Sequence, residues 1–219
     1  MIKRNIVFLL SLLTLSVSVK AQQDTKAGDI LDKMAKENET VHSLSVDFSY
    51  TSKNQQTGDN YSQQGTMEIK GKKYKVKMDD NIIYFDGKNM WNYLPDEKEV
   101  TVTKFQEGDD DFFLTNPRKL FSIYKKDFKY QFVSEFAAGD HVRYEIDLIP
   151  KDHDQPYSRF KLFIDKNTYQ LAGIQAFEKN GMIHTIELSN FKKNPEFKDE
   201  SFTFNPAGHP DVRVEDMRF

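Results

Sequence analysis

The sequence predicts a mainly β protein of the α+β class, built on one long antiparallel sheet. Three observations support this fold class. Apolar and polar residues alternate with a period of two along most of the chain, turn sequences separate these runs, and helical spacing is confined to two segments. Because many strands are charged on one side and apolar on the other, the sheet must close into a barrel or curl beneath a cover. The helices predicted at 27–40 and 112–124 are the candidates for that cover.

The first 21 residues predict an export signal. Lys3 and Arg4 precede an apolar run over 6–19, and Val19-Lys20-Ala21 ends in a small residue, as in a secretory signal peptide. We therefore expect cleavage after Ala21, a mature domain from 22 to 219, and a periplasmic location. A membrane anchor is the alternative, but a spanning helix needs about 20 apolar residues and this run is shorter.

The composition of the mature domain indicates which kinds of partner and which kind of stabilisation to expect. Without the signal, 28 basic residues stand against 34 acidic ones, a net charge of −6 with the signs interspersed. This balance does not indicate nucleic-acid binding. The chain has no cysteine, so apolar burial rather than disulfides must stabilise it. A chain of this length can bury one sufficient core, and we expect a single domain.

The first element of the mature domain is an amphipathic helix over 27–40. Its apolar residues, Met34 among them, recur at helical spacing, and Asp24 or Thr25 can act as the N-cap. The period then changes to two over 44–50, which marks a half-buried strand.

Short strands joined by tight turns follow, and they predict an antiparallel meander. Gly71-Lys72, the run at 79–81, Asp86-Gly87 and Pro95-Asp96 are the turn sequences. This first set of strands is predicted at 65–70, 73–78, 82–85, 90–94 and 100–105. A second set is predicted at 128–136, 142–149, 158–165, 171–178 and 182–190.

The alternation breaks between the two sets, at 107–127. Asn116 is a favourable N-cap and Pro117 a favourable first helical residue, so a helical insert is predicted over 112–124. The tail from 205 to 219 has no clear period and is predicted to be irregular.

No catalytic arrangement is evident. The chain has no cysteine thiol, no GxSxG sequence and no glycine-rich phosphate loop, and its five histidines are scattered. Asp152-His153-Asp154 is the best local candidate for a metal site, although a solvated loop is the preferred interpretation. The acidic run at 109–111 lacks the spaced oxygens of a calcium loop. We therefore expect no enzyme activity, no metal and no cofactor.

The aromatic content is high, with 18 Phe, 10 Tyr and one Trp. Aromatic residues favour strands, so an ordinary sheet core explains them. The other interpretation is a ligand cavity with wide apolar walls. The residues themselves leave both interpretations open.

The stretch 85–95 contains an Asp-Gly-Lys turn followed by an aromatic-rich strand. It resembles the central hairpin of the LolA family of periplasmic outer-membrane lipoprotein carrier proteins. The stretches 185–191 and 202–206 are similar to that family's closing pattern. Order and spacing agree from Ile30 to Val214.

The resemblance implies a half-closed barrel with the N-terminal helix and the mid-chain insert as its lid. It implies that acyl chains of lipoproteins, or another lipid, bind between sheet and lid without chemistry or cofactor. The implied partners are an inner-membrane lipoprotein-releasing ABC transporter and an outer-membrane receptor. We expect a monomer. A periplasmic lipid-binding sensor that signals envelope state to a protein partner is the alternative function, and an enzyme acting on an envelope lipid is the least favoured.

Alternation is predicted to place one set of strand residues on a common face, as the wall of the apolar cavity. Side chains from the two helices are predicted to complete it. The strand candidates are Phe48, Tyr50, Met67, Ile69, Tyr74, Val76, Met78, Trp91, Tyr93 and Val102, and the helix candidates are Met34, Phe113, Leu114, Leu120 and Phe121.

One position departs from the family pattern. Many family members place an arginine after the strand that ends at Lys70, and it helps to hold the lid closed. Here that position is Gly71, followed by Lys72 and Lys73. The contact that holds the lid is therefore expected to be either absent or rebuilt.

Overall fold

The computed structural model describes residues 24–105 and 127–218, in which a helix packs on one face of a 12-stranded sheet. This confirms the predicted mainly β architecture. The predicted signal peptide and the predicted helix over 112–124 lie outside the described residues. The helix and the strands are α1 (Thr25–Glu39), β1 (Ser43–Asn54), β2 (Asn60–Lys70), β3 (Lys73–Met78), β4 (Ile82–Phe85), β5 (Asn89–Leu94), β6 (Glu99–Lys104), β7 (Phe128–Ala138), β8 (His141–Pro150), β9 (Tyr157–Asp165), β10 (Leu171–Glu178), β11 (Met182–Lys193) and β12 (Arg213–Asp216).

The sheet consists of two antiparallel meanders that meet at its centre. Strands β1 to β6 form one meander, β7 to β11 form the other, and the pairing of β1 with β11 joins them. The strand β12 adds to the edge strand β6 in parallel. The prediction of an irregular tail is therefore wrong for Arg213–Asp216, which forms a strand because it pairs with the free backbone groups of β6.

The position of α1 is fixed by the N-cap residue that precedes it. Asp24 is the N-cap, as predicted, and its Oδ1 accepts the backbone N–H of Ala27 at 3.1 Å. Its Oδ2 accepts the backbone N–H of Phe132 in β7 at 2.9 Å. The bond from Phe132 is the main cause that lowers the pKa of Asp24. One carboxylate thus caps the start of the helix and attaches it to the sheet.

The main hydrophobic core lies between α1 and the face of the sheet that we call the inner face. Ala27, Ile30, Leu31 and Met34 are the buried residues of α1. One row of apolar residues crosses the second meander, and each residue of the row lies directly opposite the next on the neighbouring strand. The row runs from Tyr50 through Ile186, Ile174, Leu162 and Ile146 to Phe132.

Strand β2 begins five residues before the predicted start at Gly65. The stretch 60–64 is polar and mostly exposed, so alternation could not reveal it. It forms a strand because it pairs with the second half of β1 from Tyr50 to Lys53. Hydrogen bonding in the hairpin rather than burial determines this end of the sheet.

The sheet bends where β2 passes over a buried ring. A Cβ at Gly65 would lie 2.3 Å from the carbonyl oxygen of Lys77 and 2.6 Å from Cζ of Phe48. At Gly173 in β10 a Cβ would lie 2.8 Å from the carbonyl oxygen of Ile186. Glycine within a strand commonly marks such a close approach of two backbones. These two glycines permit the curvature of the sheet.

Replacing Gly65 with alanine should destabilise the fold strongly. The added methyl group must displace both a backbone carbonyl and the buried Phe48 ring, and overpacking of this kind costs about 1–3 kcal/mol. Gly71→Ala is the matched control, because Gly71 has a φ of +57° but nothing within 4 Å of its Cβ position. Its cost should be limited to backbone strain of about 1 kcal/mol. Urea unfolding would compare the variants, and equal losses would contradict the close approach at Gly65.

Candidate functional site

The inner face is the candidate site, and its apolar rows extend from β1 toward β6. Leu44 lies opposite Ile69, and the row continues through Tyr74 and Phe85 to Met90. The rings of Tyr74 and Phe85 are 4.8 Å apart, centroid to centroid. An uninterrupted apolar surface therefore spans β1 to β5.

The structure places many of the predicted cavity residues on this face. They pack into the main core, with Tyr50 half-buried and the others buried. They belong to the same core cluster as the buried residues of α1, so the structural role expected for part of the set applies here. The inner-face residues from the prediction are Met34 on α1 and Phe48, Tyr50, Met67, Ile69, Tyr74, Val76 and Met78 on the strands.

The predicted placement is wrong for Trp91, Tyr93 and Val102. Trp91 lies opposite Tyr84 and Val102, and Tyr93 lies opposite Ile82, whereas the inner-face residues of β4 are Ile83 and Phe85. Trp91, Tyr93 and Val102 are therefore on the outer face. The cause lies in β4, whose four residues are all apolar, so that alternation gives no sign there of which side faces inward.

A second apolar cluster covers this part of the outer face. Tyr93, Val100 and Phe204 are its buried members. The ring of Phe204 is 4.9 Å from that of Tyr93 and 5.0 Å from that of His209. The tail thus lies over β4 to β6 and covers the apolar residues that point outward.

Among the apolar inner-face residues that sequence reasoning missed are Ile83, Met90 and Phe105. Each packs against the main core, and each remains half-buried rather than buried. Counting register through the turns from Val76 to β5 would have found Ile83 and Met90. Like Tyr50, they are apolar residues of the inner face that remain half-buried. The remaining candidates Phe113, Leu114, Leu120 and Phe121 lie outside the described residues.

A polar chain lies on the same face beside Tyr50. The Tyr50 hydroxyl and Nδ1 of His184 are 2.8 Å apart, and Nε2 of His184 is 2.8 Å from Oε1 of Glu178. The Ser52 hydroxyl also bonds to Tyr50. Burial raises the pKa of Tyr50, so its hydroxyl remains protonated at neutral pH. Sequence reasoning treated His184 as isolated, because its partners come from other strands.

The turn at Gly71 is held by the segment that follows β11. Nζ of Lys70 donates to the carbonyl oxygen of Phe197 at 2.7 Å and to Asp199 at 2.8 Å, and Nζ of Lys73 lies 2.7 Å from Asp199. The two lysines, Lys70 first, lower the pKa of Asp199 to about 2. The turn that lacks the family arginine is thus joined to the segment after β11.

No metal site is formed within 24–105 and 127–218, where no three of His, Cys, Asp or Glu gather closely enough. Asp152 accepts the backbone N–H of Asp154 at 2.9 Å, which makes this run a turn. Across the same described ranges, no helix is both long and apolar enough to span a membrane.

Comparison with known proteins agrees with this architecture. The profile of the family described as outer membrane lipoprotein carrier protein LolA matches residues 39–205. An outer-membrane lipoprotein carrier protein of Legionella pneumophila (strain Lens) is 31% identical over 135 residues, which are 61% of this chain and 62% of the relative. The chain therefore spans under two thirds of that relative's length.

Solved structures show the same fold at low sequence identity. An uncharacterised conserved protein from Thermus thermophilus has a TM-score of 0.56 at 11% identity, covering 87% of this chain and 99% of its own. The lipoprotein LppX of Mycobacterium tuberculosis has a TM-score of 0.50 at 10% identity, covering 80% of this chain and 100% of its own.

The carboxyl group of Asp199 should titrate at about pH 2 in the folded protein. Because the folded pKa is below the ordinary 3.8, the stabilisation by this ion pair is present above that value and is lost as the pH falls through about 2. NMR titration of the carboxyl carbon would measure it. Lys70→Gln should raise the pKa, and Lys73→Gln should raise it less.

Lys72→Gln is the control for this titration. It removes a lysine from the same turn that forms no described ion pair with Asp199. An ordinary pKa of Asp199 in the unmodified protein would show that the ion pairs do not form in solution.

Proposed function

Because the chain belongs to the LolA family, we propose that it is a carrier that binds the acyl chains of lipoproteins on the inner face of its sheet. The family match supports the role, and the continuous apolar inner face is the observation that carries it. In this proposal the protein works in the periplasm and moves lipoproteins from the inner to the outer membrane. An inner-membrane ABC transporter supplies the lipoprotein and an outer-membrane receptor accepts it.

The apolar residues that remain half-buried support binding at one end of the inner face. Ile83, Met90 and Phe105 lie on or next to β4, β5 and β6 and pack against the main core. Burying one CH₂ group contributes about 0.8 kcal/mol. An acyl chain laid along these side chains can therefore be held firmly without polar contacts to each carbon. No chemical step is part of this function.

Transfer of lipoprotein tests the proposal directly. The mature protein, incubated with inner-membrane vesicles that contain the releasing transporter and ATP, should bring an acylated lipoprotein into the supernatant. The same lipoprotein without its acyl chains should show no complex with the carrier. If a known carrier extracts the acylated lipoprotein and this protein extracts none, the proposal is wrong.

The single tryptophan can report which face holds the ligand. Bromine atoms on an acyl chain quench tryptophan only near contact. Trp91 lies in the outer-face cluster, so its fluorescence should persist when brominated fatty acid binds. In a Trp91→Phe background, Met90→Trp moves the indole to the inner face and should give strong quenching.

Neighbouring positions on β5 make this pair of proteins a matched comparison. Both tryptophans would be half-buried and adjacent in sequence, and they differ in the face they occupy. Quenching of native Trp91 together with an unquenched Met90→Trp protein would place the ligand on the outer face and overturn the assignment of the site.

A further inference from the structure

The polar chain described above occupies one end of the inner face. Tyr50 and Ser52 are close to the end of β1, and Glu178 and His184 flank the turn between β10 and β11. The backbone N–H of Gln55 bonds to the carbonyl oxygen of Gly181 at 3.0 Å, which joins the two turns. This is the end of β1 opposite to the one that α1 reaches.

Strand register places these side chains toward the apolar surface. Ser52 lies opposite His184, which in turn lies opposite Ala176. Ala176 is a buried member of the main core, and Tyr50 packs against the same core. Polar residues are thus built into a face that is otherwise apolar, where an unsatisfied polar group would cost free energy.

One end of the chain is anchored in a turn. His184 bonds through Nδ1 to the Tyr50 hydroxyl and through Nε2 to the carboxylate of Glu178, and the tautomer of the ring sets which nitrogen donates. The other carboxylate oxygen of Glu178 accepts from Nδ2 of Asn180 at 2.6 Å. The Glu178 end is therefore anchored in the turn.

The opposite end of the chain is adjustable. Ser52 and Tyr50 are hydroxyl groups, whose hydrogens rotate to suit a new acceptor or donor. Tyr50 is half-buried, whereas Ser52 is 8% exposed, so Tyr50 is the more accessible residue of the two. A polar group of a ligand that enters along the inner face would meet this hydroxyl first.

We propose that the Tyr50 hydroxyl, supported by Ser52, His184 and Glu178, binds the ester or amide group that links an acyl chain to the rest of the lipid. This inference rests on the proposed function and adds a polar subsite to it. An ester or amide carried into an apolar cavity loses its bonds to water, and leaving it unpaired is costly. The polar chain replaces those bonds and so fixes how deep the acyl chain can lie.

The experiment compares an ester ligand with a hydrocarbon of the same chain length. Methyl palmitate and the matched alkane would each compete with a fluorescent apolar probe on the full mature protein. One hydrogen bond in this setting is worth roughly a threefold to tenfold difference in affinity. The ratio of the affinity for the ester to that for the alkane is the ester preference, and Tyr50→Phe should lower this ratio by that factor while its affinity for the alkane is unchanged.

Tyr84→Phe is the matched control. Tyr84 is also half-buried with a pKa raised by burial, but it packs into the outer-face cluster. It should keep the preference for the ester, and Ser52→Ala should reduce that preference less than Tyr50→Phe does. Thermal unfolding of each variant would show that the fold is intact.

The ring of His184 gives a second readout, which would not change if Tyr50 had only a structural role. The ¹⁵N shifts of the His184 ring should change when methyl palmitate binds and stay the same with the alkane, since only the ester competes for the Tyr50 hydroxyl. An ester preference that survives in Tyr50→Phe would overturn the subsite while leaving the carrier proposal in place. Failure of the unmodified protein to bind either ligand would overturn both.

Discussion

The pairing of β1 with β11 is the contact on which the rest of the molecule depends. It joins the first strand of one meander to the last strand of the other, two segments that are separated by most of the chain. It sets Phe48 opposite Leu188 and Tyr50 opposite Ile186. Asn194 holds the end of this pair, since its Oδ1 accepts the backbone N–H of His42 at 2.8 Å. Closing so long a loop costs entropy, which the long strand pair and the core beneath it offset. Without this pairing the inner face would be two separate surfaces.

A continuous sheet then has two apolar regions to cover, one on each face. On the inner face α1 packs into the main core, anchored by Asp24 to β7. On the outer face the tail covers Tyr93 and Val100 with Phe204 and extends the sheet through β12. The change of apolar face between β3 and β5 passes through β4, which is apolar on both sides. The tail is therefore a structural cover, and the segment between it and β11 is joined to the β2–β3 turn through Asp199.

A carrier for acyl chains needs an apolar surface that is partly uncovered, together with a means of placing the ligand along it. Ile83, Met90 and Phe105 supply half-buried apolar area near one edge of the inner face. The polar chain that begins at Tyr50 supplies direction at another point of the same face. Apolar burial is non-directional, so a hydrogen-bonding group is the physical means of fixing the depth of a chain.

The fold class, the helix α1 and the approximate positions of most strands could be predicted from the sequence, because period and turn residues are local signals. Two residues, Asp24 and Thr25, were candidates for the N-cap of α1, and the structure shows that it is Asp24. The sequence also identified the inner-face residues of β1 to β3, where polar and apolar residues alternate strictly. Two other features depend on the tertiary structure, namely the face that some side chains occupy and the hydrogen-bond partners that come from distant strands. The outward direction of Trp91 and Tyr93 follows from register counted through β4, and the partners of His184 come from β1 and β10. Both depend on which strands pair, and pairing between distant segments leaves no trace in the local pattern of a single chain.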